Sequence, residues 1–320
     1  MPLVDWPLHQ LKQYKPESTA QPDFDSFWRE TLAEAAKTPL DVKLTPYPFP
    51  NKTADLFELT YRGGDGTVIH GWYVRPKEAS TDNPVPAVIR YHGYTGSRGI
   101  PVDQLHWTTL GMAAIIVDVR GQGGQTPDST VYPQGGIAGW LTYGILDPKT
   151  YYYRQVYVDS VRAVDVADSL PEIDSSRIGV CGGSQGGGLA LAVAGLDARP
   201  KITMPAYPFL SDFRRSVEQA GAGPYPEIVK WFRMFDPERK READVFRTLS
   251  YFDVMNHAAR VKARTLMAIT LQDTVCPPST CFAAYNHIEA PKEYRIYPDY
   301  GHEALPFFQE EMMRFAAEHL

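Results

Sequence analysis

The stretch "RIGVCGGSQGGGLALAVAGL", residues 177–196, restricts the fold more than any other part of the chain. It reads as a buried strand, a glycine-rich turn around Ser184, and an apolar helix. A flexible linker would not sit between a strand and a helix. In this context Gly182-Gly183-Ser184-Gln185-Gly186 is a G-x-S-x-G turn, which strains the serine backbone and lifts its hydroxyl above a sheet. The helix that follows points its N-terminus at the same spot, where negative charge is favoured. The competing reading is a nucleotide-binding turn, but that needs a companion such as a Walker lysine, and none is present.

The rest of the chain has the rhythm such a turn needs. "PAVIRYHG" (86–93) is a continuous apolar strand of the kind buried on both faces. Further strands are expected at "GMAAIIVDVRG", "KITMPAYPF", "ARTLMAITLQD" and "KEYRIYP". Helices are expected at "YVDSVRAVDVADSL", "GGLALAVAGL", near 279–289 and at 306–319. Strands alternating with helices through short connections mean a mostly parallel twisted sheet with helices on both faces, the α/β class. Upstream, "ADLFELTYR" and "TVIHGWYVRP" form an antiparallel pair about the turn "GGDG". Residues 1–50 are Pro-rich and irregular, with one amphipathic helix at 23–37. Residues 121–153, rich in Gly, Pro and Tyr, follow a strand end, where such folds hold ligands. Residues 210–250 are charged, aromatic and helical, an insertion that caps the sheet. The expectation is one domain, 1–320, with an N-terminal extension (1–50) and a helical insertion (about 210–250).

Composition narrows the function. A formal net charge of −6 without a basic stripe argues against nucleic acid. There is no apolar run of membrane-spanning length, and the first residues lack the basic and apolar regions of a secretory signal. Three cysteines make no disulfide framework and read as buried thiols in a reducing cytoplasm. No CxxC, HExxH or His/Cys cluster offers a metal site.

A serine hydroxyl needs a base, and in α/β-hydrolases the chain order is Ser, acid, His. Of the histidines that follow both Ser184 and a plausible post-strand acid, His302 in "YPDYGHEA" lies in a loop between the last strand and the last helix. His287 sits mid-helix and His319 at the terminus, both ordinary positions. The acid is expected at a strand end, which "TLMAITLQD" supplies as Asp273; its rival is Asp299, three residues before His302. The oxyanion donors are the backbone N–H groups of Gln185 and of Tyr94 in "YHGYTGSRG", where Gly93 lets the backbone approach. His92 reads as a strand-end residue hydrogen-bonded beneath that loop.

With "YHGY", "RGQGG", "GILDPKTYYYR", "GGSQGGG", "TLSYFDV", "PPSTCFAAYNH" and "YGHE" in this order, nearly the whole chain resembles the acetyl xylan esterase/cephalosporin-C deacetylase family, the seventh of the carbohydrate esterases. The resemblance implies an α/β-hydrolase fold with catalytic Ser184, Asp273 and His302 and oxyanion donors Tyr94 and Gln185. It implies substrate contacts from Tyr94, Phe209, Pro224 and Val275. It also implies acetylated xylo-oligosaccharides, sugar acetates and cephalosporin C as substrates, no metal or organic cofactor, a cytoplasmic location and a ring-like homohexamer. Two places depart from the family pattern: Ala206-Tyr207 before Pro208, where an acidic or small residue is expected, and a second cysteine, Cys281, after "CPPST". A serine peptidase of the prolyl-oligopeptidase type shares fold and triad order, but the chain has no propeller of several hundred residues. A catalytically silent receptor on the same fold would lack a triad member, and all are present.

Overall fold

Residues alternate between two cores along the strand Val85–Tyr91. Ala87, Ile89 and Tyr91 point into one hydrophobic cluster, and Val88 points into another. A strand with apolar residues on both faces must be covered on both. In the computed structural model, which describes residues 4–132 and 136–320, nine strands form one sheet: β1 (Lys43–Pro46), β2 (Ala54–Arg62), β3 (Val68–Pro76), β4 (Val85–Tyr91), β5 (Ala113–Val117), β6 (Ile173–Gly183), β7 (Pro200–Ala206), β8 (Arg264–Thr270) and β9 (Lys292–Tyr297). Their spatial order is β1-β2-β3-β5-β4-β6-β7-β8-β9. The first three strands are antiparallel and β3 joins β5 antiparallel; every later pairing is parallel. This is the α/β-hydrolase arrangement expected from the sequence.

The first core lies under the helices Tyr152–Ser169 and Gln185–Leu196. The second lies under the short helix Leu105–Thr108 and the C-terminal helix Phe308–His319, around Trp107, Phe308 and Phe315. The insertion folds as three helices, Phe213–Gln219, Pro226–Phe235 and Glu242–Ser250. Among the described residues no helix is long and apolar enough to cross a membrane.

Two expectations shift. The segment read as irregular holds the edge strand β1, whose Lys-Leu-Thr-Pro is exposed except for half-buried Leu44 and carries no apolar alternation of its own. It is a strand because β2 offers it an unpaired edge. The helix expected from Tyr157 begins at Tyr152, because Tyr152, Tyr153, Val156 and Tyr157 form one buried stripe. Residues 133–135 of the Gly/Pro/Tyr-rich segment, and residues 1–3 of the extension, lie outside the described residues.

Candidate active site

Ser184 sits where β6 ends and the helix Gln185–Leu196 begins, with φ 57° and ψ −121°. A left-handed φ on a serine costs on the order of 1–3 kcal/mol and persists only where the surroundings impose it. They do so through backbone contact: a Cβ on Gly186 would lie 2.0 Å from the Tyr91 carbonyl oxygen, and one on Gly188 2.2 Å from that of Phe209. The glycines after Ser184 are therefore required by close approach of β4 and of the chain after β7.

His302 enters from the loop after β9. Its Nε2 is 2.9 Å from Ser184 Oγ and its Nδ1 is 2.8 Å from Asp273 Oδ2. Asp273 follows β8 and is 1% exposed. Its Oδ1 accepts from the amides of Val275 and Cys276 (both 2.8 Å). A carboxylate oxygen facing Nδ1 selects the tautomer with the proton on Nδ1 and leaves Nε2 to accept from the serine hydroxyl. Asp299, the rival acid, is exposed and stands outside this chain of hydrogen bonds. His287 instead bonds the Ala283 carbonyl through Nδ1 (2.7 Å).

The loop after β4 approaches the serine as the oxyanion donors need. A Cβ built on Gly93 would lie 4.0 Å from that of Ser184, ordinary contact, so proximity and not steric necessity marks this glycine. The amides of Tyr94 and Gln185 have no acceptor among the described residues. His92 accepts from the Val119 amide at Nε2 (2.8 Å) and contacts the Gly93 carbonyl at Nδ1 (2.7 Å), beneath the loop as expected.

Sequence reading missed two supports of this loop. Gln122, in "RGQGG", accepts from the Thr95 amide (3.0 Å) and donates to Gln185 Oε1 (2.8 Å), joining the segments that carry the Tyr94 and Gln185 amides. Its own segment is anchored by fully buried Arg120, paired with Asp159 and Asp65 (both 2.7 Å). Glu227, on the insertion helix Pro226–Phe235, accepts from the Tyr94 hydroxyl (2.9 and 3.1 Å) and the Leu141 amide (3.1 Å). The Trp140 amide in turn donates to that hydroxyl (2.6 Å). A carboxylate on the buried side of an amphipathic helix was the available signal, since a buried acid needs a partner.

Burial pushes the Glu227 carboxyl up to about 7 from an ordinary 4.5. Between those values the folded chain holds a proton that the unfolded chain has lost, so this group's contribution to stability falls as pH rises through that window. Glu227→Gln should therefore gain on the parent from pH 4.5 to pH 7, by on the order of 1–2 kcal/mol once partial access of water is discounted. Urea melts on either side of the window check this; a gap that does not change with pH would contradict it.

None of the residues expected to contact substrate lines the cavity that holds the nucleophile and the base. A cavity of about 310 Å³ holds Ser184 and His302, and Tyr94, Phe209, Pro224 and Val275 do not line it. Phe209 is fully buried, wedged edge-on between Tyr94 (5.9 Å) and Tyr225 (4.6 Å). It backs the Tyr94 ring. Pro224 is buried, and Val275 packs against Gly223, where a Cβ would meet Val275 at 2.5 Å. Tyr207, flagged as a departure, lies 4.9 Å from the His302 ring and forms part of the cavity wall. A larger cavity of about 750 Å³, between the N-terminal segment and the insertion, contains no triad member.

The cysteines are buried and free, as read from the sequence. Contrary to that reading, a metal-capable cluster does form: Asp273, Cys276 and His302 offer ligand atoms within 4.8 Å of one another. Two of the three are engaged with each other in the hydrogen bond described above.

Residues 1–319 match the family model for acetyl xylan esterase (AXE1). The structure is similar to that of an acetyl xylan esterase from Paenibacillus sp. R4, with TM-score 0.97, 58% identity, and coverage of 98% of this chain and 100% of that one. It is also similar to acetyl xylan esterase 1 from Thermoanaerobacterium sp. JW/SL YS485, with TM-score 0.94, 38% identity, and coverage of 98% and 99%. Acetyl esterase Axe7A of Xylanibacter ruminicola is 33% identical over 293 residues, 89% of this chain. The chain spans 64% of that relative's length.

Proposed function

The chain belongs to the acetyl xylan esterase family, a family of carboxylic ester hydrolases, and we propose that it removes O-acetyl groups from acetylated xylo-oligosaccharides and related sugar acetates, with cephalosporin C as a further substrate. The observation that carries this reading is the hydrogen-bonded run Ser184–His302–Asp273 at a strained strand-to-helix turn.

The chemistry follows from where the protons are. Ser184 Oγ attacks the acetyl carbonyl carbon as His302 Nε2 takes its proton, and Asp273 stabilises the imidazolium without becoming protonated. The carbonyl oxygen becomes an oxyanion facing the Tyr94 and Gln185 amides. As the carbon–oxygen bond to the sugar breaks, His302 returns the proton to the departing oxygen, leaving an acetyl group on Ser184. Water, deprotonated by His302, then attacks that acetyl. Acetate leaves and Ser184 recovers its proton.

The acyl side should be small. Tyr94 cannot swing away: its hydroxyl is held by Glu227, and its ring packs edge-on against Trp140 (5.2 Å) and Phe209. Each methylene that fails to fit costs on the order of 1–3 kcal/mol in the transition state. In a nitrophenyl ester series acetate should be cleaved best, propionate less well, and butyrate poorly. Equal or rising kcat/KM out to butyrate would refute both the tight pocket and the acetyl specificity.

The cytoplasmic location and the ring-like homohexamer are proposals supported by the family resemblance and, for the location, by the free thiols. The aromatic N-terminal segment lends the hexamer no support, because Leu11, Phe24, Phe27 and Trp28 are buried on their own chain. Light scattering at the 35.9 kDa mass of one chain would rule the hexamer out, and fractionation of the source cells tests the location.

A further inference from the structure

The cavity over Ser184 and His302 has a polar wall that the ester chemistry leaves unused. Arg90, Ser97, Asp103, Gln104 and Tyr207 line it. Arg90 stands one residue from the end of β4 and is half-buried. The neighbouring arginine of this wall, Arg98, is spoken for: it approaches Asp118 (3.6 Å) and stacks on Trp72 (4.4 Å). Arg90 has no such partner; among the described residues its guanidinium makes no ion pair and no hydrogen bond, although Asp103 lines the same cavity. Gln104 is 1% exposed, and neither its amide nitrogen nor its amide oxygen has a hydrogen-bond partner.

The second of these features is unusual. Nearly all buried side-chain polar atoms find partners in folded proteins, so a doubly unpaired glutamine in a cavity wall calls for an explanation. An arginine without an ion-pair partner in the cavity of a nucleophile offers a fork of donors that suits a planar anion. The reaction fixes which half of the substrate is concerned. His302 must hand its proton to the departing sugar oxygen, so the alcohol half lies over His302, and this is the cavity that holds His302.

We propose that this cavity is the subsite for the alcohol half of the ester, in which Gln104 binds sugar hydroxyls and Arg90 selects acetylated saccharides that carry a carboxylate, such as a uronic acid branch. The proposal rests on the esterase reading above and deepens it by naming the substrate class. Gln104 supplies an NH₂ group that donates and a carbonyl oxygen that accepts, which suits a hydroxyl that both gives and takes a hydrogen bond.

The test uses the full chain and a matched pair of substrates: an acetylated xylo-oligosaccharide bearing a uronic acid branch, and the same compound with that carboxyl reduced to an alcohol. The parent enzyme should favour the acid in kcat/KM by about tenfold or more, the scale of a charge-assisted hydrogen bond. Arg90→Gln should bring the two values close together, and Arg90→Lys should keep part of the preference. Equal kcat/KM for the pair in the parent, or an equal loss on both in Arg90→Gln, would overturn the carboxylate subsite and leave the esterase reading standing. Failure to cleave either compound would overturn the saccharide esterase reading itself.

Discussion

Ser184→Ala should lower kcat on an acetyl ester by at least about 10⁴-fold while the protein stays folded. The magnitude follows from how the group acts. Without Oγ there is nothing for His302 Nε2 to activate, so the 2.9 Å contact loses its purpose and the whole relay fails as a unit. The fold should survive because alanine keeps the Cβ and the backbone bonds that impose the turn. Those are the Ser184 amide to the Ala206 carbonyl and the Phe209 amide to the Ser184 carbonyl, both 3.0 Å. Unchanged thermal unfolding with lost turnover is the expected pair of results. A rate near that of the parent would end the nucleophile assignment.

Asp273→Asn should cost several powers of ten, of order 10⁴ by the serine-protease precedent. The hydrogen bonds say why. The Val275 and Cys276 amides both donate to one carboxylate oxygen, so an asparagine there must turn its carbonyl toward them. Its NH₂ then faces His302 Nδ1, which has to accept, and the ring proton moves to Nε2. A histidine protonated at Nε2 cannot take the serine proton. Asp299→Asn removes an exposed carboxylate outside this network and should cost far less. Reversed effects would move the acid to Asp299.

What the sequence carried was set by local pattern. The apolar strands from β4 onward and the strand-end positions of Ser184 and Asp273 were legible, because in this fold strand ends are where catalytic groups stand. His302 was legible from its loop position alone. The strand β1 was not, since its pairing depends on the distant edge of β2 and three of its four residues are exposed. Glu227 and Gln122 were hidden for the same physical reason. Each acts by a hydrogen bond to a distant segment, Tyr94 in one case and Thr95 and Gln185 in the other, and no local spacing encodes such a bond. Phe209, matched to a pocket position, is buried behind the Tyr94 ring, a packing contact that no local pattern encodes.

The most direct test of the whole account is labelling with a fluorophosphonate, which captures only a serine activated as a nucleophile. The structure's arrangement of Ser184, His302 and Asp273 predicts one label per chain, located by peptide mapping on Ser184, with esterase activity lost in proportion to labelling. Full activity in a protein whose Ser184 is completely labelled, or inactivation with the label on another residue, would contradict it.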